Sequence, residues 1–357
     1  MRYVEVILPL PLDGVFTYSL PDSMTDRLQA GMRVLVPLGR SKHYTGIALR
    51  MHDVKPDFEV KEVIAVMDER PLLLPVQLKL WRWMAEYYMA PLGDVYKAAL
   101  PAGLKQEDGY RPRTETYIGL CEPWRNEQAL HVALDMLGRA LKQKKVLTEF
   151  LHLSRWDSLE GSTPTEDVHE VTREELTNVC HCTDAVVKSL IDRKILYTYQ
   201  VEVGRLNTST PAKTTQPKPL SAAQTTAYNE MLLQLMAKEV VLLHGVTSSG
   251  KTELYIHLIA KTIADGKQVL YLLPEIALTV QMMDRLRSVF GDRLGIYHSK
   301  YSDAERAEIW LRQLSDHPYD IILGARSAMF LPFQRLGLVI VDEEHESSYK
   351  QQDPAPR

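Results

Sequence analysis

The residues with the most specific chemistry lie late in the chain, in the stretch HGVTSSGKTELYIHL from His244 to Leu258. Gly245, Gly250, Lys251 and Thr252 form a Gly-x-x-x-x-Gly-Lys-Thr pattern, with Val246, Thr247, Ser248 and Ser249 between the glycines. These types at this spacing suit a polyphosphate. The glycines let successive backbone N–H groups turn toward phosphate oxygens, Lys251 reaches the β- and γ-phosphates, and the Thr252 hydroxyl helps to hold Mg²⁺. A second group, Asp342-Glu343-Glu344-His345, follows the apolar run Leu336–Val341. An acid at a strand's carboxyl end beside a phosphate loop can bind Mg²⁺ through its water shell, which is the role expected of Asp342. Glu343 is then placed to orient and deprotonate an attacking water. Binding and hydrolysis of a nucleoside triphosphate are the expected chemistry.

Such groups must be held by a strand-loop-helix unit in a parallel sheet. Val240–Leu243 is the expected strand into the loop, and the helix after it puts Tyr255, Leu258, Ile259 and Ile263 on one apolar face. Further strands are expected at Gln268–Leu273, Leu294–His298, Tyr319–Leu323 and Leu336–Val341, with helical stretches between successive strands. Residues 221–357 therefore read as an α/β lobe. Before it, GRLNTSTPAKTTQPKPL cannot make a packed element and marks a linker over 206–220. Residues 106–205 carry helical patterns in EQALHVALDMLGRAL and KVLTEFLHL, then two short helices and the strand-like ILYTYQVEV, a winged-helix reading that suits nucleic acid or protein equally.

Residues 1–105 are β-rich, with runs at Tyr3–Leu8, Val15–Ser19, Met32–Val36, Tyr44–Met51 and Val63–Val66. In the helix that follows, Leu80, Trp83, Met84, Tyr87 and Tyr88 share one face at i, i+3, i+4, i+7 and i+8, and this stripe is expected to be core.

The whole reads as a multidomain α/β protein of 357 residues, with a net charge of −4. Charge is +1 over 1–105, −2 over 106–220 and −3 over 221–357, so contacts to nucleic-acid phosphates must come from local clusters such as Arg40-Ser-Lys42-His43 or Lys142-Gln-Lys144-Lys145. No apolar run reaches membrane length, the start lacks a secretory pattern, and the expected location is cytoplasmic. Cys121, Cys180 and Cys182 are expected to be reduced structural thiols.

Taken together, HGVTSSGKTELY, LPEIALTVQM, YHSKYSDAERAEIW, GARSAMFLPF and DEEHESSYKQQD resemble the PriA (primosomal protein N′) family of superfamily-two replication-restart helicases. LPLPLDGVFTYSLPD, GMRVLVPLGRSKHYTGIAL and YYMAPLGDVYKAALP resemble that family's N-terminal domain for the 3′ end of a nascent strand. The resemblance implies an ATP-dependent 3′→5′ DNA helicase that recognises stalled or branched forks and initiates restart through primosome assembly, with a RecA-like first motor lobe at 221–357. It implies that Gln224 reads adenine, and that Pro274, Glu275 and Arg326 face single-stranded DNA. Tyr349 either stacks on a base or packs. The family's 3′-end pocket maps onto Phe16, Thr17, Tyr18 and Gly39, beside Arg40 and Lys42, with Thr17 standing where the family usually has an acid. The second lobe with its arginine fingers and the family's Zn²⁺-binding cysteines would lie beyond Arg357, so the chain reads as the N-terminal part of a longer, monomeric protein. Implied partners are forked and single-stranded DNA, single-stranded DNA-binding protein and other primosome proteins. A fork-binding scaffold that uses ATP only as a conformational ligand is the alternative, and DNA-stimulated turnover separates the two. A phosphate-loop metabolite kinase would leave DEEH and the β-rich start unexplained.

Overall fold

Alternating apolar residues build the first sheet. In β1 (Arg2–Ile7) Val4 and Val6 face the same core as Tyr18 and Leu20 of β2 (Phe16–Leu20), and the short helix α1 (Asp22–Thr25) follows. Then come β3 (Arg33–Leu38), β4 (Lys42–His52) and β5 (Ala65–Val66). The computed structural model describes residues 2–107, 110, 114–156, 168–202, 214–246, 249–274, 280–298 and 300–349. Among them, these strands form an antiparallel sheet in the order β2-β1-β4-β3-β5.

Three helices close this part: α2 (Pro75–Tyr87), α3 (Leu92–Ala99) and α4 (Ala102–Lys105). The fully buried Trp81 of α2 stacks on Tyr96 of α3 with ring centroids 6.0 Å apart, and the Tyr96 hydroxyl donates to Thr45 O of β4 at 2.9 Å. This overturns the expected helix face at its aromatic residues, while Met84 is buried as expected. The buried residues of α2 are Gln77, Leu78, Trp81 and Met84, whereas Trp83, Tyr87 and Tyr88 are exposed, with Trp83 stacked on Tyr87. Two faces of α2 satisfy helical periodicity, and the partner offered by α3 and the sheet selects the one bearing Trp81.

Residues Pro112–Asn207 form a separate compact unit. It contains β6 (Thr114–Leu120), α5 (Glu127–Met136), α6 (Leu141–Leu153), β7 (Val171–Thr172), α7 (Arg173–Cys180), α8 (Asp184–Asp192) and β8 (Leu196–Glu202). Phe150 and Leu147 of α6 pack with Leu176, Val187 and Leu190 of the helix pair α7 and α8. Both helices start on a threonine, and the Thr172 hydroxyl accepts from Glu175 N at 3.0 Å as an N-cap. The sheet order is β7-β6-β8. The winged helix is as expected, with an additional strand: β6, unassigned from sequence, pairs along its whole length with β8.

The other unit joins Met1–Arg111 to Thr208–Arg357. Its second part contains α9 (Ala222–Ala237), α10 (Lys251–Ala264), β9 (Gln268–Leu272), α11 (Val280–Phe290), β10 (Leu294–Tyr297), α12 (Asp303–Leu314), β11 (Ile321–Gly324) and β12 (Leu336–Val341). The strands are parallel in the order β10-β11-β9-β12, with Tyr255, Ile259 and Ile263 of α10 packed on Val269, Tyr271 and Ile321. One expected strand is missing from it. Val240–Leu243 forms no ladder with any described strand and leaves Val240 and Leu242 exposed. Apolarity marks a segment that can be buried, but a strand exists only where a neighbour supplies its hydrogen bonds.

Within this unit the antiparallel sheet and the parallel lobe are joined by buried polar contacts. Gln77 Nε2 of α2 donates to Phe330 O at 2.7 Å, and Trp310 Nε1 of α12 donates to Leu72 O at 2.9 Å. The Arg33 guanidinium spans Asp68 at 2.6 Å and Leu104 O at 2.9 Å, tying β3 to α4.

Candidate functional site

The phosphate-loop residues sit where the chain enters α10. Gly250 is the N-cap in the left-handed region (φ 86°, ψ 18°), a conformation that glycine adopts without strain. A Cβ on Gly250 would lie 2.4 Å from Gln224 Nε2, and one on Gly245 would lie 2.9 Å from Ser249 Oγ. At Gly250 the positive φ calls for glycine, and at both positions a side chain would displace the end of a neighbouring polar one. Lys251 Nζ donates to Gly245 O at 2.7 Å, folding its ammonium back over the loop. Thr252 follows in the first turn, half-buried, and Val246 is exposed. Thr247 and Ser248 lie outside the described residues.

Gln224 belongs to a reciprocal cap at the start of α9: Ser221 Oγ accepts from Gln224 N, and Gln224 Oε1 accepts from Ser221 N at 2.9 Å. The cap leaves its amide nitrogen directed at Gly250 O, 3.5 Å away. The residue expected to read a base thus abuts the residue expected to cradle phosphate.

The acids follow β12. Ile340 lies opposite Tyr271 and Val341 opposite Leu272 of β9, and Asp342 N extends that ladder to Leu272 O at 3.0 Å. The Tyr271 hydroxyl donates to Asp342 Oδ2 at 2.9 Å, Glu343 N donates to Oδ1 at 3.2 Å, and the Tyr349 hydroxyl donates to Asp342 O at 2.7 Å. Burial, reinforced by the Asp342 charge, pushes the Tyr271 hydroxyl far above its ordinary range, so it is a neutral donor. Tyr255, edge-on to Tyr271, is pushed up to about 12, chiefly by burial and then by the charges of Asp342, Glu343 and Glu344. Glu343 adopts φ 50°, which is unfavourable for a residue with a Cβ, and its backbone O accepts from Glu346 N at 2.9 Å. The strand-to-turn transition therefore places two adjacent carboxylates in different settings, one clamped by a tyrosine and one on a strained corner.

The residues of the chain fit a magnesium nucleotide. Gly250 holds the left-handed conformation at the start of α10, Lys251 reaches back to Gly245 O, and an anchored carboxylate stands at the carboxyl end of β12, linked to α10 through Tyr271 and Tyr255. Pro274 is buried just beyond β9, and Glu275 lies outside the described residues. Arg326 opens a 3₁₀ turn, Arg326–Phe330, directly after β11. Tyr349 is half-buried with its hydroxyl engaged on Asp342, which makes it part of the acid site's backbone support.

In the first sheet, Gly39 (φ 68°) and Arg40 form the exposed tip between β3 and β4, and Lys42 begins β4. Phe16 and Thr17 are half-buried, whereas Tyr18 is 3% exposed in the core, its hydroxyl pushed up to about 12 by burial. Lys61, not singled out from sequence, links these parts: its backbone O accepts from Ser19 N at 2.9 Å and its ammonium donates to Gly39 O. Tyr271 was also missed. Its signal was a lone hydroxyl within the aliphatic strand QVLYLL.

Three family models match the chain. Residues 5–101 match a 3′DNA-binding domain (3′BD), residues 115–203 a winged helix domain of PriA helicase from Bacteroidota, and residues 221–355 a DEAD/DEAH box helicase domain. Among curated relatives, the replication restart protein PriA of Haemophilus influenzae is 34% identical over 356 residues, covering 99% of this chain and 46% of that protein. The proteins of the same name from Chlamydia trachomatis and Bacillus subtilis are 32% and 30% identical, each over 99% of this chain and over 45% and 50% of their own lengths. The chain spans about half the length of the curated relatives it matches. Among the described residues, no helix is long and apolar enough to cross a membrane, and no group of three or more His, Cys, Asp or Glu residues could hold a metal ion.

Proposed function

Because the chain belongs to the PriA family, we propose that it acts in replication restart as the fork-recognising and ATP-binding portion of a 3′→5′ DNA helicase. The observation that supports this reading is that α10, the helix that begins at Lys251, reaches the acid-bearing end of β12 through Tyr255 and Tyr271, whose hydroxyl anchors Asp342 beside Glu343. Lys251 and the loop's N–H groups would hold the β- and γ-phosphates, Thr252 and Asp342 would hold Mg²⁺, and Gln224 would meet the base. When bound, the metal neutralises the charge that develops on the phosphates. Glu343 is the residue that orients water and takes its proton.

The proposed modules are 1–105 for 3′ ends, 106–205 as the winged helix and 221–357 as the first RecA-like lobe, separated by a linker at 206–220. In the first, the pocket is formed by Phe16, Thr17 and Gly39, with Arg40, Lys42 and Lys61 supplying positive charge at its rim. Tyr18 supports it from the core. Arg326, which follows β11, and Glu275 would face single-stranded DNA, with Pro274 supporting them from its buried position beyond β9. Proposed partners are forked DNA and the proteins of a primosome.

The test is fluorescence anisotropy with two forks that differ only in their terminal group. A 3′-hydroxyl can be enclosed and hydrogen-bonded, whereas a 3′-phosphate adds bulk and a charge that must be desolvated. The hydroxyl fork should bind more tightly, and both affinities should fall with salt as phosphate contacts release counterions. Equal affinities would refute 3′-end recognition. An ATPase assay with and without the fork separates a motor from a scaffold.

A further inference from the structure

From the hydrogen bond between Tyr271 and Asp342 we infer that Tyr271 is a positioning residue for nucleotide-bound divalent cation, fixing the Asp342 carboxylate in the orientation that receives the metal's water shell. The inference rests on the proposed reading of Asp342 as the acid that faces the metal.

A tyrosine with no exposed surface inside a parallel sheet needs a reason. The other residues of β9 from Val269 to Leu272 are aliphatic, and a phenylalanine would fill the same space. A phenolic O–H removed from water is costly unless it is paired, so the hydroxyl is accounted for by its partner. That partner is Asp342 Oδ2 at 2.9 Å. The register explains why they meet. Tyr271 lies opposite Ile340, and Asp342 lies two residues beyond Ile340, so both side chains leave the same face of the sheet on neighbouring strands. The ring is itself held edge-on by Tyr255 of α10, with centroids 5.6 Å apart at 76°. The chain from the phosphate-loop helix to the acid is therefore Tyr255, Tyr271, Asp342, each in contact with the next.

The carboxylate accepts one bond on each oxygen, from the Tyr271 hydroxyl and from Glu343 N. Each oxygen has a second lone pair, so the two donors fix the plane of the group without exhausting its capacity to accept from metal-bound water. A rotating carboxylate would have to be ordered on binding, and groups that orient metal-facing carboxylates carry much of a site's affinity.

The experiment uses isothermal titration of ADP into the 357-residue chain with excess Mg²⁺ and, separately, with excess EDTA. In the wild type, Mg²⁺ should tighten ADP binding. Tyr271→Phe keeps the ring and its volume, and it should reduce that Mg²⁺-dependent gain by about tenfold while leaving affinity in EDTA unchanged. In an Asp342→Ala background the same change should have no further effect, because Tyr271 acts only through Asp342; a merely structural contribution would persist there. An undiminished Mg²⁺ gain in Tyr271→Phe overturns the inference and leaves the reading of Asp342 standing. A wild type whose ADP affinity ignores Mg²⁺ overturns that reading, and the inference falls with it. Should circular dichroism show Tyr271→Phe unfolded, the infrared C–O stretch of a ring-labelled tyrosine incorporated at position 271 alone reads the same bond in the otherwise unchanged chain, and a spectrum identical to that of the same label in Asp342→Ala overturns the inference.

Discussion

Gly250→Ala tests the cradle from the backbone upward. Gly250 sits at φ 86° and ψ 18°, and an alanine held there costs ~1–2 kcal/mol relative to glycine. The new methyl would also lie 2.4 Å from Gln224 Nε2. That atom ends a flexible side chain and can move away, but the same amide closes the α9 cap through Ser221 N, and losing a cap costs ~0.5–2 kcal/mol. The substitution should therefore lower stability by about 2–3 kcal/mol in chemical denaturation followed by circular dichroism. The two parts can be separated, because Gln224→Ala removes the obstacle in advance. The double variant should be less destabilised than the sum of the single variants by ~0.5–1 kcal/mol. ADP affinity should fall in Gly250→Ala as well, since the N–H groups aimed at phosphate share the displaced backbone. A cost below ~0.5 kcal/mol, or strict additivity with Gln224→Ala, would refute the reasoning that φ and the Gln224 contact dictate glycine here.

Lys251→Ala removes an ammonium whose contact is Gly245 O, so the fold should persist while MgATP affinity falls by about 100-fold or beyond detection, as calorimetry will show. Gln77→Leu should destabilise the unit by ~2–4 kcal/mol in urea, because Phe330 O and Leu74 N each lose their bond to the buried amide. Alkaline titration supplies the third test. Tyr18, Tyr255 and Tyr297 are each pushed from 10.0 to about 12, mainly by burial. Below pH 10 neither state ionises, whereas above it the unfolded chain releases protons that the folded chain retains, so stability is lost as pH rises from 10 through about 12. Denaturation midpoints that stay level across that window would contradict the assigned burial.

Legibility in the sequence followed the range of the physics involved. Leu336–Val341 was readable to the residue because its apolar run, rich in β-forming aliphatic residues, is continuous and the acids mark its end, although as the edge strand it buries only Ile340. The Gly-x-x-x-x-Gly-Lys-Thr spacing was readable because it states a backbone requirement in residue types, borne out at Gly250 by its positive φ. Val240–Leu243 has the same apolar character as β12, yet it lacks the neighbour that would make it a strand, and no local pattern encodes a neighbour. In α2, periodicity offered two apolar faces, and only the ring of Tyr96, fifteen residues after Trp81, decides between them. The winged-helix unit shows the same limit, since β6 lies more than seventy residues from its partner β8.

The site residues missed from sequence share one property, which is that their meaning depends on strand register. Tyr271 is an ordinary β-former until β12 is laid beside β9 with Ile340 opposite it, whereupon its hydroxyl meets Asp342. Lys61 is one surface lysine among many until its backbone closes on Ser19 and its ammonium on Gly39. Motif residues, by contrast, keep their meaning across registers because their partners lie within a few positions, as Gly245 and Lys251 do. The chemistry expected of Asp342 was therefore available from four consecutive letters, whereas the group that aims it lies seventy-one residues upstream and becomes visible only once the sheet is assembled. Residues that support a site from another strand are thus to be sought among buried polar side chains with a single hydrogen-bond partner, and on that criterion Tyr271 stands out within β9.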